Sequence, residues 1–152
     1  MQVYTGREEG QNREVNQGQR VVLDLVSGLE KSGRNVTCDN FFTSISLARE
    51  LAKRQMTVLG TIRKNKGELP TKLTNTRGRQ ENTSIFAFQN SATLVSYCLK
   101  KGRVVVLLST EHDTAEVDNS EKAKPRMVLD YNASKAGVDT MTRWSERTQA
   151  KE

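Results

Sequence analysis

The residues of this chain that could do chemistry are mainly carboxylates. Asp39 directly follows the run NVTC (35–38), which predicts a short strand, and Asp139 lies in the segment AGVDT (136–140), which predicts a helix. An Asp at a strand end often only caps the next helix, and an Asp on a helix is usually just solvated. Two carboxylates from distant segments can also meet at one edge of a sheet and hold hard cations such as Mg²⁺. The residue types alone leave both interpretations open.

Other reactive groups are sparse. The acidic loop 111–118, which includes His112, is a second metal candidate, but it lacks the central Gly and terminal Glu of a calcium loop, so a solvated loop is the better interpretation. Cys38 and Cys98 lie far apart, each within an apolar run, which predicts small buried side chains rather than a disulfide or a zinc site. The sequence contains no serine nucleophile elbow, phosphate-binding loop or dinucleotide fingerprint.

The composition is that of one mildly basic domain. The chain has 152 residues and a formal net charge of +6, an excess that suits a polyanion such as nucleic acid but is also found in domains that bind nothing charged. The polar stretch 64–83 is rich in cations that could follow a phosphate backbone, although an exposed loop explains them equally well. These cations are Lys64, Lys66, Lys72, Arg77 and Arg79. No apolar stretch approaches the ~20 residues of a membrane helix and no signal peptide opens the chain, so we expect a soluble, intracellular protein without membrane contact.

Local patterns predict an alternation of helices and strands. After a strand-like start at 2–5, a helix is predicted within 18–33, and a second helix from Thr43 or Ser44 to about Arg54. The inward-facing side chains predicted for these two helices are Val22, Leu25, Val26, Leu29, Ile45, Ala48, Leu51 and Ala52. Strands are predicted at 35–38, 56–63 and in a three-stranded meander over 84–110, and a last helix from about Asn132 or Ser134. This order favours an α/β domain with a mixed sheet.

Four segments, in this order, resemble the piggyBac transposase family, which includes the piggyBac transposable element-derived proteins. They are CDNFFTSISLA (38–48), TVLGTIRKNKGELP (57–70), TLVSYCLKKGRVVVLLST (93–110) and KPRMVLDYNASKAGVDTM (124–141). The similarity runs from about residue 1 to 141, and the tail 142–152 no longer follows the family pattern. The pair of motifs CDNFFTS and YNxxKxGVDT is much more specific than a lone Asp.

The resemblance implies a fold and a chemistry. The fold would be an RNase H-like DDE/D transposase core, a mixed sheet with flanking helices, with 84–110 as a β insertion. Asp39 would be the second catalytic carboxylate and Asp139 the third, both ligands of Mg²⁺ or Mn²⁺ in DNA cleavage and joining. The implied partner is DNA, with transposon ends and TTAA targets, and the implied setting is the nucleus and a possible homodimer.

Departures from the family pattern set limits on the expected activity. The first catalytic Asp of the family lies on a strand upstream of the segment MQVYTG (1–6), and Thr142 stands where many relatives carry a further acidic residue. We therefore expect residues 1–141 to form a partial domain, truncated at both ends and without the family's N-terminal DNA-binding regions and C-terminal zinc module. On its own, such a polypeptide should neither cut nor join DNA. The alternatives are a domesticated, non-catalytic module that binds DNA or protein, and the product of a decayed reading frame.

Overall fold

A five-stranded mixed sheet organises residues 16–136, the part of the chain that the computed structural model describes. Its strands are β1 (Asn35–Cys38), β2 (Thr57–Thr61), β3 (Ser84–Gln89), β4 (Ala92–Lys100) and β5 (Arg103–Ser109). They lie in the order β1-β2-β5-β4-β3, with β1 parallel to β2 and every other neighbouring pair antiparallel. The helices are α1 (Gln17–Leu25), α2 (Ile45–Lys53), α3 (Thr71–Thr74) and α4 (126–136). The predicted mixed sheet with flanking helices is confirmed.

The three strands of the predicted insertion belong to this same sheet. β5 lies directly against β2, with Gly60 opposite Leu108 and Thr61 opposite Leu107. The turn between β3 and β4 has positive φ angles at Asn90 (44°) and Ser91 (69°), the backbone that suits a tight hairpin. The meander therefore continues the sheet of β1 and β2, and the insertion boundaries at 84–110 stay a prediction.

The unit β1-α2-β2 forms as its sequence predicts, with one correction on the buried face. Ser44 is the N-cap of α2, and its side-chain oxygen accepts the backbone N–H of Leu47 at 3.0 Å. Leu47, Ala48 and Leu51 are buried, whereas Ala52 is exposed, contrary to the prediction. Ala52 follows Leu51 by 100° around the helix, which turns its short side chain away from the sheet.

The first helix is shorter than predicted. α1 ends at Leu25, Gly28 has a φ of 90°, and the Glu30 carboxylate accepts the Gly28 N–H at 2.7 Å. Lys31 donates its N–H to the Arg54 carbonyl, so this segment is tied to the end of α2 instead of continuing α1. Val22 and Val26 are buried as predicted, but Leu25 and Leu29 are exposed. Leu29 lies beyond the end of α1, so it does not share the buried helix face of Val22.

The last helix begins earlier than predicted. α4 starts at residue 126 because the carbonyl of Pro125 accepts the N–H groups of Val128 (3.0 Å) and Leu129 (3.2 Å). Pro125 is itself paired with Val117 in an isolated bridge across the preceding loop. The predicted loop 64–83 also contains one helical turn, α3, whose Leu73 is buried.

Both faces of the sheet are covered by apolar side chains. On one face, α1 and α2 pack over β1, β2 and β5, with a core of buried side chains that includes Val22, Leu47, Leu51, Val58 and Leu108. On the other face, α4 packs over β2, β4 and β5, with a core of Leu59, Val95, Tyr97, Leu107, Met127, Val128 and Tyr131.

Cys38 and Cys98 are buried and unpaired, as predicted. Burial, assisted by the neighbouring negative charge of Asp39, raises the pKa of the Cys38 thiol to about 12. The thiol therefore stays protonated and unreactive at neutral pH.

No helix within residues 16–136 combines the length and the apolar character that crossing a membrane requires.

Candidate active-site edge

Asp39 stands at one end of the sheet, which we call the Asp39 edge: the carboxyl ends of β1 and β2 and the amino end of β5. Cys38 pairs with Gly60 in the parallel β1–β2 ladder, so the chain leaves both strands at the same level. The Ile62 N–H donates to the Val106 carbonyl at 2.9 Å, which puts the start of β5 at this end. Open α/β sheets gather functional groups at the carboxyl ends of their parallel strands.

The carboxylate of Asp39 stabilises its own turn rather than the following helix. Its Oδ1 accepts the N–H of Phe41 at 2.9 Å, while Ser44 caps α2. The backbone carbonyl of Asp39 accepts the N–H of Thr43 at 3.1 Å and its hydroxyl at 2.8 Å. Asp39 is exposed, and its Oδ2 makes no hydrogen bond with the residues that the structure describes. The helix-capping interpretation of Asp39 is therefore wrong, and one carboxylate oxygen faces outward from a defined turn.

Two glycines let neighbouring elements approach this turn closely. A Cβ on Gly60 would lie 2.5 Å from the Cys38 carbonyl oxygen and would overlap the hydroxyl of the fully buried Thr43. A Cβ on Gly18 in α1 would lie 2.9 Å from the Phe41 carbonyl oxygen. The position of Asp39 thus depends on packing of β2 and α1 against backbone atoms of the turn.

An arginine that sequence reasoning missed contacts the turn that follows Asp39. The guanidinium carbon of Arg63 lies 5.6 Å from the centroid of the Phe41 ring, a cation–π contact, and Phe41 meets Phe42 edge-on at 5.0 Å. Arg63 is exposed and follows β2 by two residues. Its position in the sequence could have indicated it. Arg63 comes just after β2, and Asp39 comes just after β1, the parallel neighbour of β2.

The five predicted nucleic-acid-binding cations have different surroundings. Lys64 and Lys66 follow Arg63 at the Asp39 edge, Lys72 is exposed on α3, and Arg77 is exposed in the next loop. Arg79 differs from these four because its guanidinium donates to the Ser96 hydroxyl at 2.9 Å, the Ser96 carbonyl at 3.0 Å and the Thr83 carbonyl at 3.2 Å.

These bonds tie the loop before β3 to β4. Arg79 therefore has a structural role, and its contact with nucleic acid stays a prediction.

Three further cations lie at the β4–β5 hairpin, which projects at the same end of the sheet. Lys100, Lys101 and Arg103 are exposed around Gly102, whose φ is 76°. An open cleft beside this hairpin is lined by residues 76–81, Lys101 and Gly102. The Asp39 edge thus combines the exposed Asp39 carboxylate with cations from the β2 exit and from the hairpin, where the Glu81 carboxylate also lies.

The donor chemistry of Asp39 suits a divalent ion, but Asp39 is only one ligand. A carboxylate oxygen is the hard donor that Mg²⁺ and Mn²⁺ prefer. Within residues 16–136, no three His, Cys, Asp or Glu side chains come together in a way that could hold a metal ion. Asp139, the other predicted ligand, lies outside the described residues. The exposed Asp39 carboxylate can therefore supply one ligand to a divalent ion, and its assignment as a metal ligand stays a prediction.

The acidic loop has its own structural partners. Asp118 Oδ1 accepts the N–H of Lys124 at 2.9 Å and the hydroxyl of Ser120 at 2.8 Å. The imidazole of His112 bonds to Ser109 and Asp130 rather than to the other acidic residues of the loop. These contacts agree with a structured surface loop.

Comparison with known proteins identifies the family of this chain. A DDE transposase family model, described as Transposase IS4, matches residues 1–151. The chain belongs to this transposase family. It is also similar to the piggyBac transposase in a cryo-EM structure of the synaptic complex with hairpin DNA, with a TM-score of 0.82 and 41% sequence identity.

This structural match covers 94% of the chain and 30% of the piggyBac transposase chain. The transposase domain described here thus spans about a third of the length of that relative. Asp39, Arg63 and the β4–β5 hairpin all lie within the segment that the family model matches.

Proposed function

We propose that this chain is part of the RNase H-like catalytic domain of a piggyBac-type DDE/D transposase. In this proposal Asp39 is the second catalytic carboxylate and Asp139 the third. The observation that carries it is the exposed Asp39 carboxylate on a tightly packed turn at the carboxyl end of β1, in a chain 41% identical to a piggyBac transposase over the matched segment. Asp39 and Asp139 would hold the divalent ions, Mg²⁺ or Mn²⁺.

The residues of the Asp39 edge have complementary roles in this proposal. Divalent ions held by Asp39 and Asp139 would supply Lewis-acid assistance to a phosphoryl transfer. Asp39 contributes a negative charge. The Thr43 hydroxyl donates to the backbone carbonyl of Asp39 and so stabilises the turn that carries this carboxylate. Arg63, held over Phe41, presents a guanidinium to a DNA phosphate near that carboxylate.

A polypeptide of only these 152 residues is expected to be inactive in DNA strand cleavage and strand transfer. Asp39 and Asp139 would be two of three required carboxylates, and two acids leave a pair of divalent cations with too little negative charge and too few ligands. The measurement is a strand-transfer assay with Mg²⁺ or Mn²⁺ on a labelled DNA end. A product that disappears in Asp39→Asn would contradict the expected inactivity.

DNA is the partner that the charge of the edge favours. Lys64 and Lys66 follow Arg63, and Lys101 lies on the hairpin at the same end of the sheet, so a duplex across this end would meet cations from two segments. Transposon ends and TTAA targets, a homodimer and a nuclear location belong to the same proposal. A second candidate, a non-catalytic DNA-binding module, is favoured by the fact that these cations could bind phosphate without Asp39.

Replacing Lys64 and Lys66 by Gln is expected to weaken binding to a short duplex and to make binding less sensitive to salt. Each lost phosphate contact should reduce the slope of log K against log salt by about 0.9. Fluorescence anisotropy at several salt concentrations measures both effects. Two surface charges removed elsewhere, in Lys31→Gln with Lys122→Gln, provide the matched control.

Equal losses in the two double variants would show only a general charge effect and would contradict a binding surface at the Asp39 edge. Loss of DNA binding in the Lys64/Lys66 variant, together with metal binding that does not depend on Asp39, would favour the non-catalytic module.

A further inference from the structure

A partly buried hydrogen-bond network connects the end of β5 to α4. The Nδ1 atom of His112 lies 2.8 Å from the Ser109 hydroxyl oxygen, and its Nε2 lies 2.7 Å from Asp130 Oδ2. The other oxygen of Asp130 pairs with Arg126 Nε at 3.1 Å. The His112 side chain is only 12% exposed, and its carbonyl accepts the hydroxyl of the buried Thr93 at 2.7 Å.

The other bonds of Ser109 determine the direction of this network. Its oxygen accepts the N–H groups of Glu111 and His112, both at 3.1 Å, so both lone pairs are in use. The hydroxyl proton is then donated to Nδ1 of His112, which must be unprotonated. The proton of the neutral imidazole consequently lies on Nε2 and is donated to Asp130.

These three residues do not form a nucleophilic site, although Ser, His and Asp are the residue types of a hydrolase triad. Ser109 is fully buried in the sheet, so a substrate cannot reach its oxygen. That oxygen is also hydrogen-bonded to two backbone N–H groups, which lowers its nucleophilicity.

The network connects two elements, β5 and α4, whose relative orientation is not determined by neighbouring residues in the sequence. β5 and α4 are separated by the loop 110–125, and α4 packs on the sheet through Met127, Val128 and Tyr131. Apolar contacts of this kind allow a helix to slide or rotate by small amounts, whereas the directional bond from His112 to Asp130 has one geometry. Asp139, the proposed third carboxylate, follows Asp130 by nine residues.

We propose that His112 is a positioning residue: its bond to Asp130 holds α4, the helix that precedes the proposed third carboxylate in the sequence, in one orientation on the sheet. The orientation of α4 follows from the network itself, and the consequence for metal binding rests on the proposed function. The imidazole acts only through Asp130 and touches no reacting group.

Hydrogen exchange tests the anchoring directly. His112→Leu is expected to accelerate amide exchange in α4 (127–136) at least tenfold, while β2 and β4 change little. His112→Gln, whose side-chain NH₂ can reach the position of Nε2, should restore most of the protection. Asp130→Ala removes the acceptor from a half-exposed helical position, so a folded variant is available even if His112→Leu does not fold. Unchanged exchange in α4, or acceleration of all elements alike in Asp130→Ala, would overturn the proposal.

Mn²⁺ affinity tests the link to metal binding. Mn²⁺ titration followed by electron paramagnetic resonance should show roughly tenfold weaker binding in His112→Leu and Asp130→Ala, with rescue in His112→Gln, because supporting residues of metal ligands have effects of this size. Glu121→Gln, an exposed charge in the loop 110–125 outside the acidic segment 111–118, is the control. Affinity unchanged in both network variants but lost in Asp39→Asn would overturn the role of His112 in metal binding. Affinity unchanged in Asp39→Asn would count against the proposed function, and the exchange experiment would still decide the anchoring of α4.

Discussion

Gly60→Ala is expected to lower the free energy of unfolding by about 3 kcal/mol, at the upper end of the cost of overpacking a core. The added methyl group would lie 2.5 Å from the Cys38 carbonyl oxygen and would overlap the Thr43 hydroxyl. One contact is with backbone and the other with a fully buried side chain, so neither can move aside cheaply. Urea denaturation followed by circular dichroism measures the change.

A matched glycine separates this effect from the general consequence of adding a methyl group. Nothing lies within 4 Å of a Cβ built on Gly67, and its φ is not in the left-handed region. Gly67→Ala should therefore be neutral or stabilising by less than about 1 kcal/mol. Adding Thr43→Ala to Gly60→Ala should recover only part of the loss, because the Cys38 carbonyl remains. Equal denaturation midpoints for the two glycine variants would contradict the proposed packing beneath the Asp39 turn.

Asp39→Asn is expected to abolish the stabilisation of the chain by Mn²⁺. A ligand of the native state at a hundred times its dissociation constant stabilises by about 2.7 kcal/mol, and an amide in place of the carboxylate removes the charge on which binding of this hard cation depends. The substitution conserves the turn, because the Asn oxygen can still accept the Phe41 N–H that Asp39 Oδ1 accepts at 2.9 Å. Thermal melts with and without Mn²⁺ measure the effect.

The control for this prediction is Glu121→Gln, which removes one exposed carboxylate far from the Asp39 turn in sequence. It should melt at the same temperature as wild type without metal and respond to Mn²⁺ in the same way. If Asp39→Asn responds to Mn²⁺ as strongly as wild type, Asp39 is not a metal ligand and the proposed catalytic role fails.

Secondary structure was predicted correctly where it depends only on residues that are neighbours in the sequence. The strands around Asp39 and the Ser44 cap of α2 agree with the sequence, because alternation and capping involve neighbouring residues only. The errors arose where distant groups compete for the same backbone. α1 stops early because Lys31 bonds to Arg54, and α4 starts early because Pro125 pairs with Val117 and accepts the first helical N–H groups.

The candidate site shows the same division. Asp39 could be named from its position after a strand and its motif, whereas Arg63 was overlooked and Arg79 was grouped with the phosphate-binding cations. In the sequence, Arg63 ends the predicted strand 56–63 and Arg79 lies in the predicted loop 64–83, and neither position shows what surrounds the guanidinium. Only the fold shows that Arg79 is bonded to Ser96 and that Arg63 lies over Phe41.

The sequence by itself determined the mixed α/β character of the domain, the strand that ends at Asp39 and the transposase family. All three depend on residue patterns or motifs within contiguous segments of the chain. Tertiary structure decided how that aspartate is held and which groups surround it. Gly60 meets Thr43 through the parallel pairing of β1 and β2, and His112 meets Asp130 across a loop and a helix. Such contacts depend on the three-dimensional path of the chain, which no local pattern of residues encodes.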